Sequence, residues 1–148
     1  MNQTTNDQAL GVPGYSFDWK GQTYTIGPIT QEVKAEFEKW HKQTALNGVF
    51  QLRGMVPTDD FTRMLAQVGR DIDIGKFQFG KSASTIEMNS ETGRLVLLRL
   101  MLRRPDLSID ALTEMTNDEQ TNHIIAVLIT RMIEESQPRT VEGDSPKA

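Results

Sequence analysis

The sequence of 148 residues contains no cysteine. This absence excludes disulfide bonds, metal sites built on thiolates and a cysteine nucleophile. A long apolar run is also missing, because the longest stretch, Leu95 to Leu102, is interrupted by Arg99 and is far shorter than a membrane span. The opening residues, MNQTTNDQAL, have neither the basic region nor the apolar run of a signal peptide. We therefore expect a cytoplasmic protein without membrane association.

An excess of positive charge is absent as well, since the net charge is −4. Bulk electrostatics therefore do not favour nucleic acid as a partner. The apolar fraction of 37% and the charged fraction of 24% are typical of a globular domain, and the length suits one such domain. We predict a flexible lead over residues 1–14, a single domain over 15–135 and a disordered tail over 136–148.

The first regular element predicted is a β-hairpin over residues 15–26. Aromatic residues alternate with polar ones in YSFDW, and the alternation resumes in TYTI after a turn at Lys20-Gly21-Gln22. An isolated two-stranded hairpin is marginally stable, so one face is expected to pack on another element.

A bundle of about five helices is predicted to follow, which makes the fold class mostly α (α+β). The first helix is capped by Thr30 and runs to about Leu46, where Asn47-Gly48 interrupts it. The second starts after Thr58 and carries a buried stripe. The third covers the apolar segment 94–103, and 73–93 is the least regular part of the domain. Two further helices are predicted over 108–115 and up to about residue 135, the last with a capping box of Thr116 and Glu119.

GKFQFGKS at 75–82 matches the P-loop pattern G-x-x-x-x-G-K-[ST] at every fixed position. A working P-loop follows a buried strand of a parallel sheet. No such strand is predicted, and the segment before the pattern carries Asp71 and Asp73. We instead expect Phe77 and Phe79 to anchor a loop to the core.

The remaining candidates for chemistry are weak. Asp71-x-Asp73-x-Gly75 begins like a calcium loop, but the required glycine and the closing glutamate are missing. His41 and His123 lie on predicted helices without a second ligand at metal-binding spacing. We predict no catalytic residue, no cofactor and no metal site, and therefore no enzyme.

The C-terminal half also fits a helix-turn-helix, with Ser108–Met115 followed by a second helix. A recognition helix needs basic and amide groups that reach base edges. Here the second helix opens with Asp118 and Glu119 and carries Arg131 as its one arginine or lysine. A DNA-binding regulator is therefore an alternative rather than the preferred interpretation.

Two segments resemble tail assembly chaperones of long-tailed bacteriophages. The opening pattern F-x-W-x-G-x-x-Y-x-I at 17–26, followed by Gly27-Pro28-Ile29-Thr30 and a helix, is similar to the start of these proteins. RRPDLSIDALTEMTNDEQTNHIIAVLITRMIEES is similar to their C-terminal helices. The resemblance covers 15–46 and 94–135, half of the chain.

The resemblance implies a non-enzymatic protein of the bacterial host cytoplasm that binds the tape-measure protein, with the tail-tube protein as a second candidate partner. Reversible apolar contact would carry this binding. A structural protein of the phage particle is the alternative in the same class, and both a monomer and a homo-oligomer are compatible with these patterns. The residues predicted to contact the partner are aromatic: Tyr15, Trp19, Tyr24, Phe37 and Trp40.

Overall fold

The structure is a computed structural model that describes residues 14–136. The predicted lead at 1–14 and tail at 136–148 lie outside these residues, apart from Gly14 and Ser136. The described residues form one two-stranded antiparallel sheet and six helices, which confirms a mostly α (α+β) fold. We number them β1 (Tyr15–Trp19), β2 (Gln22–Ile26), α1 (Gln31–Phe50), α2 (Thr58–Asp73), α3 (Ser82–Asn89), α4 (Glu91–Leu102), α5 (Ile109–Asn117) and α6 (Glu119–Ser136).

The described residues divide into two compact units. The first contains the residues up to Pro28 together with those from Glu114 onward, and the second contains Ile29–Thr113. The boundary falls inside α5, and each unit is described by itself. The single domain over 15–135 stays a prediction. None of the helices within residues 14–136 combines the length and the hydropathy that crossing a membrane requires.

The first unit contains the β-hairpin and α6. Lys20 and Gly21 form the turn with φ values of 48° and 74°, the left-handed conformation that two-residue hairpin turns require. The turn is one residue shorter than predicted, because Gln22 already pairs with Trp19. Alternation places Phe17 and Tyr24 on the buried face, and β1 packs on α6, as the marginal stability of a lone hairpin led us to expect.

In the second unit, α1 packs on both α2 and α4, and α3 packs mainly on α4. Thr30 caps α1, because its side-chain oxygen accepts a hydrogen bond of 3.2 Å from the amide of Val33. Helix α4 is buried along most of its length, as its apolar sequence predicts. The buried apolar side chains of this unit are Val33, Phe37, Val49, Val68, Phe77, Leu95, Val96, Leu98, Met101, Leu102, Leu107 and Leu112.

Three local predictions are wrong. Helix α1 does not stop at Asn47-Gly48 but continues to Phe50, since the amide of Gln51 still donates to the carbonyl of Asn47 at 3.0 Å. Helix α3 was not predicted, because it is short and has no apolar stripe. The last helix is capped by Asp118 rather than by a Thr116–Glu119 box, because the Asp118 carboxylate accepts from the amide of Thr121 at 3.0 Å.

Candidate functional site

Helices α1 and α2 form a helical hairpin whose apolar surface is only partly covered. The spacing of Phe61, Met64, Leu65, Val68 and Ile72 predicts a buried stripe along α2. In the structure only Val68 is buried, while Met64 is 37% exposed and the other three are half-buried. The prediction is wrong in this respect, because α1 is the main neighbour of α2 and covers one side of the stripe.

The uncovered surface continues onto the end of α1. The ring of Phe50 is 47% exposed and its centroid lies 6.3 Å from that of Phe61. Phe61, Met64 and Leu65 lie at positions i, i+3 and i+4, which are neighbours on one helix surface. We call the four side chains Phe50, Phe61, Met64 and Leu65 the hairpin face.

Exposed methionine makes this region adaptable. Met55, in the loop between α1 and α2, is 76% exposed, and Met64 lies on the hairpin face itself. Methionine has an unbranched, flexible side chain that can fit partners of different shapes. Contiguous apolar surface beside flexible side chains is typical of surfaces that bind another protein. The hairpin face is therefore the strongest candidate for a binding surface in the second unit.

A groove with a volume of about 560 Å³ lies between α1 and α4 in the same unit. It is lined by an apolar set and a charged set of side chains. The apolar set is Val33, Trp40, Val96, Leu100 and Pro105, and the charged set is Glu32, Glu36, Arg99 and Arg103. The groove shares no lining residue with the hairpin face, so the two are separate surfaces.

Two of the predicted partner-binding residues lie on α1. Trp40 is half-buried and lines the groove, whereas Phe37 is completely buried. Their ring centroids are 5.4 Å apart, and the ring of Phe79 meets Phe37 edge-on at 5.8 Å. Trp40 is therefore accessible to a partner, while in this structure Phe37 supports Trp40 from the core.

The other three predicted partner-binding residues belong to the β-hairpin of the first unit. Tyr24 is buried and stacks on Phe17, with the ring centroids 5.7 Å apart. Trp19 and Tyr15 are half-buried, and Trp19 lies 6.2 Å from Tyr24. The Lys20 ammonium sits 4.8 Å from the centroid of the Trp19 ring and pairs with Glu114. Trp19 lines a polar cavity of about 520 Å³.

The GKFQFGKS segment has a helix in front of it instead of a strand. Residues 71–73 are the last residues of α2, and turns then lead to α3 at Ser82. Gly75 and Gly80 have φ values of 76° and 91°, so the glycines serve turns that other residues rarely adopt. The structural context of a P-loop is thus missing from this segment.

Phe77 and Phe79 lie at the core as predicted. Phe77 is buried and Phe79 half-buried, while Lys76 and Lys81 are exposed. The Glu38 carboxylate accepts a hydrogen bond of 2.7 Å from the amide of Phe79. A phosphate-binding loop needs free amides and no nearby anion, so this carboxylate occupies a group that a phosphate would need. The segment is a loop held to α1 by two phenylalanines and one carboxylate.

Within residues 14–136 there is no group of three His, Cys, Asp or Glu side chains that could hold a metal ion. Asp71, from the partial calcium pattern, instead accepts hydrogen bonds from Gln67 at 2.9 Å and from Lys76 at 3.3 Å. The Gln67 hydrogen bond is the main cause that lowers the pKa of this carboxyl. Asp71 therefore has partners within the chain.

His41 is buried on α1 and differs from the exposed His123 on α6. Its ring meets Phe77 edge-on at a centroid distance of 4.7 Å. Burial lowers the pKa of His41. The Glu87 carboxylate raises this pKa, whereas the Lys76 ammonium lowers it further. Its Nδ1 and the Oγ of Ser84 are buried without a hydrogen-bond partner among the described residues. From the sequence, His41 was expected at the edge of the core or at the surface. In the structure it is buried, with Phe77 packed against its ring.

Comparison of the chain with protein-family models, with curated proteins and with solved structures finds no match. The class that the structure itself defines is a mostly α protein with an N-terminal β-hairpin and an apolar surface left uncovered on a helical hairpin.

Proposed function

We propose that this chain is a non-catalytic phage tail assembly chaperone that binds an apolar helical segment of the tape-measure protein reversibly. The observation that supports this proposal most directly is the half-covered stripe of α2. An amphipathic helix is stabilised mainly by covering its apolar side. A helix from a partner laid against the hairpin face would cover the part of that stripe that α1 leaves open.

The proposed mode is a helix in a groove between two helices. In this mode, apolar side chains at i, i+3, i+4 and i+7 of the partner enter a hydrophobic surface. Phe50 and Phe61 would supply rigid aromatic contact, and Met64 would adapt to side chains of different shape. The tape-measure protein is the partner implied by the sequence resemblance at 15–46 and 94–135.

Release is as important to a chaperone as binding, and the composition of the face suits it. Its four side chains would offer a modest apolar area, at about 25 cal/mol for each Å² removed from water. The entropy lost when side chains are ordered and the two molecules associate offsets part of this favourable free energy. We therefore expect moderate affinity that assembling tail-tube subunits can displace.

The test is co-expression of the chain with fragments of the tape-measure protein encoded by the same phage, followed by pull-down. Met64→Glu places a charge on the hairpin face at a position that is already 37% exposed, so the fold tolerates it. We expect affinity for the captured fragment to fall about tenfold, which corresponds to roughly 1.4 kcal/mol. Ile86→Glu is the matched control, because Ile86 is an exposed apolar residue on α3 outside the face.

Two results would contradict the proposal at different levels. Failure of every tape-measure fragment to bind would contradict the chaperone function. If Met64→Glu captures a fragment as strongly as the unaltered chain does, the chaperone function stands, but the hairpin face is not the binding site. Presence of the chain in purified phage particles at fixed stoichiometry would favour the alternative, a structural protein of the particle.

A further inference from the structure

The groove between α1 and α4 has oppositely charged walls. Glu32 and Glu36 are four residues apart on α1, so both lie on one side of that helix. Arg99 and Arg103 are likewise four residues apart and line the groove from α4 and its C-terminal cap. An acidic wall therefore runs along one side of the groove and a basic wall along the other.

These charges have few partners among residues 14–136. Glu32, Glu36 and Arg103 form no ion pair within residues 14–136, and Arg99 donates one hydrogen bond of 3.4 Å to the carbonyl of Leu107. Helix dipoles favour Glu32 in the first turn of α1 and Arg99 in the last turn of α4. The dipoles give no reason for Glu36, which lies a turn further along α1.

Arg103 occupies a position where glycine is usual. The amide of Arg104 donates to the carbonyl of Arg99 at 3.3 Å, and the amide of Arg103 donates to that of Leu100 at 3.2 Å. These two bonds define a Schellman ending, whose left-handed residue is most often glycine. Arg103 has φ 54° and ψ 37° there, a conformation unfavourable for any residue with a Cβ. An arginine kept in an unfavourable conformation beside a groove suggests a role for its side chain.

The floor between the walls is apolar. Val33 and Val96 are buried, and Trp40 and Leu100 are half-buried. A volume of about 560 Å³ is in the range of specific binding sites but too small for the body of a helix about 10 Å across. Side chains from one face of a partner helix can enter it while the helix lies along the groove.

We propose that this groove binds an amphipathic partner helix whose apolar stripe is flanked by basic residues on one side and acidic residues on the other. The basic flank would face Glu32 and Glu36, and the acidic flank would face Arg99 and Arg103. Turning such a helix end for end exchanges its flanks, so the two walls select one direction. A helix with two flanks of equal sign must place one of them against a like charge, which weakens binding.

The test uses the full chain and three designed helical peptides of about 18 residues, a length of roughly 27 Å. All three carry the same leucine stripe. One has a lysine flank and a glutamate flank, the second has two lysine flanks, and the third has two glutamate flanks. Fluorescence anisotropy at physiological salt is expected to show that the split-flank peptide binds about tenfold tighter than either of the others.

The double variant Glu32→Lys/Glu36→Lys makes both walls basic and should switch the preference to the peptide with two glutamate flanks. Misfolding cannot produce such a switch. Arg103→Gly removes the charge and the unfavourable conformation together, so it should weaken the split-flank peptide about threefold or more without lowering the melting temperature. Arg94→Gln is the matched control, because Arg94 is exposed on α4 outside the groove.

Equal binding of the three peptides, no binding of any, or an unchanged ranking with the double variant would overturn the proposal. The inference does not depend on the tape-measure protein. If a tape-measure fragment binds through Met64 and the peptides do not bind, the proposed function stands and the groove proposal fails. If the peptides bind as expected and no tape-measure fragment does, the groove proposal stands and the proposed function fails.

Discussion

Gly93 provides the sharpest test of the packing in the second unit. It lies in the first turn of α4, and a Cβ added there would come within 1.8 Å of the carbonyl oxygen of Glu87. It would also lie 2.7 Å from the carbonyl carbon of Glu87 and 2.8 Å from the Oγ of Ser90. Because two of these atoms belong to the backbone at the end of α3, no side-chain rotation can relieve the contact.

The expected effect of Gly93→Ala follows from what must move. Relief of the contact requires α3 and α4 to separate by about 1 Å, and overpacking of this kind costs about 1–3 kcal/mol. The separation also weakens the Ser90 cap, whose Oγ accepts from the Gly93 amide at 3.0 Å and donates to the Glu87 carbonyl at 2.7 Å. Loss of the cap lowers the free energy of unfolding by about 1 kcal/mol. The better helix propensity of alanine raises it by up to about the same amount, so these two effects nearly cancel.

We therefore expect Gly93→Ala to lower the free energy of unfolding by about 2 kcal/mol, and the melting temperature by roughly 4–8 °C. Circular dichroism at 222 nm during heating measures this shift. Gly69→Ala is the matched control, because Gly69 lies inside α2 and an added Cβ meets no atom within 4 Å. That change should raise stability by about 0.5–1 kcal/mol. Equal stability of Gly93→Ala and the unaltered chain would refute the close α3–α4 approach.

Two further predictions concern stability. Burial lowers the pKa of His41 below its ordinary 6.5, the nearby Glu87 carboxylate raises it, and the Lys76 ammonium lowers it. Because the net shift is downward, the unfolded state takes up the proton at a higher pH than the folded state does. The free energy of unfolding should then fall as the pH drops below about 6.5. Urea titrations should show a smaller fall for His41→Leu than for the unaltered chain. Asp118→Ala should lower the free energy of unfolding by about 1 kcal/mol and Asp118→Asn by much less, because asparagine caps a helix equally well; an equal loss in both would contradict the capping role.

The fold was predictable wherever neighbouring residues carry the signal. Alternation of apolar and polar residues with Lys20-Gly21 between them predicts the β-hairpin, and Thr30 and Ser108 mark two helix starts that the structure confirms. Phe77 and Phe79 were predicted to face the core because bulky aromatic residues do not suit a tight phosphate loop. Helix α3 escaped prediction because burial of Ser84 and exposure of Ile86 reverse the usual relation between polarity and position.

The candidate binding surfaces were less predictable, since they depend on which helices meet. Trp40 was predicted to contact a partner and lines the groove, but nothing in the sequence pairs its helix with Arg99 of α4 and Arg103 at the C-terminal cap of α4. The apolar stripe of α2 was predicted to be buried because its spacing is regular. A stripe shows which side of a helix is apolar, and the number of neighbours decides how much of that side is covered.

By itself, then, the sequence determined the mostly α class, the N-terminal hairpin, the helix starts at Thr30, Thr58 and Ser108 and the loop role of GKFQFGKS, because turns, caps and periodicity act over a few residues. The tertiary structure alone decided that the stripe of α2 stays half open, that His41 is buried against Phe77 and that Glu36 faces a groove shared with Arg103. These features join residues tens of positions apart in the chain. Coverage and charge pairing between such residues depend on packing geometry, which local patterns do not encode.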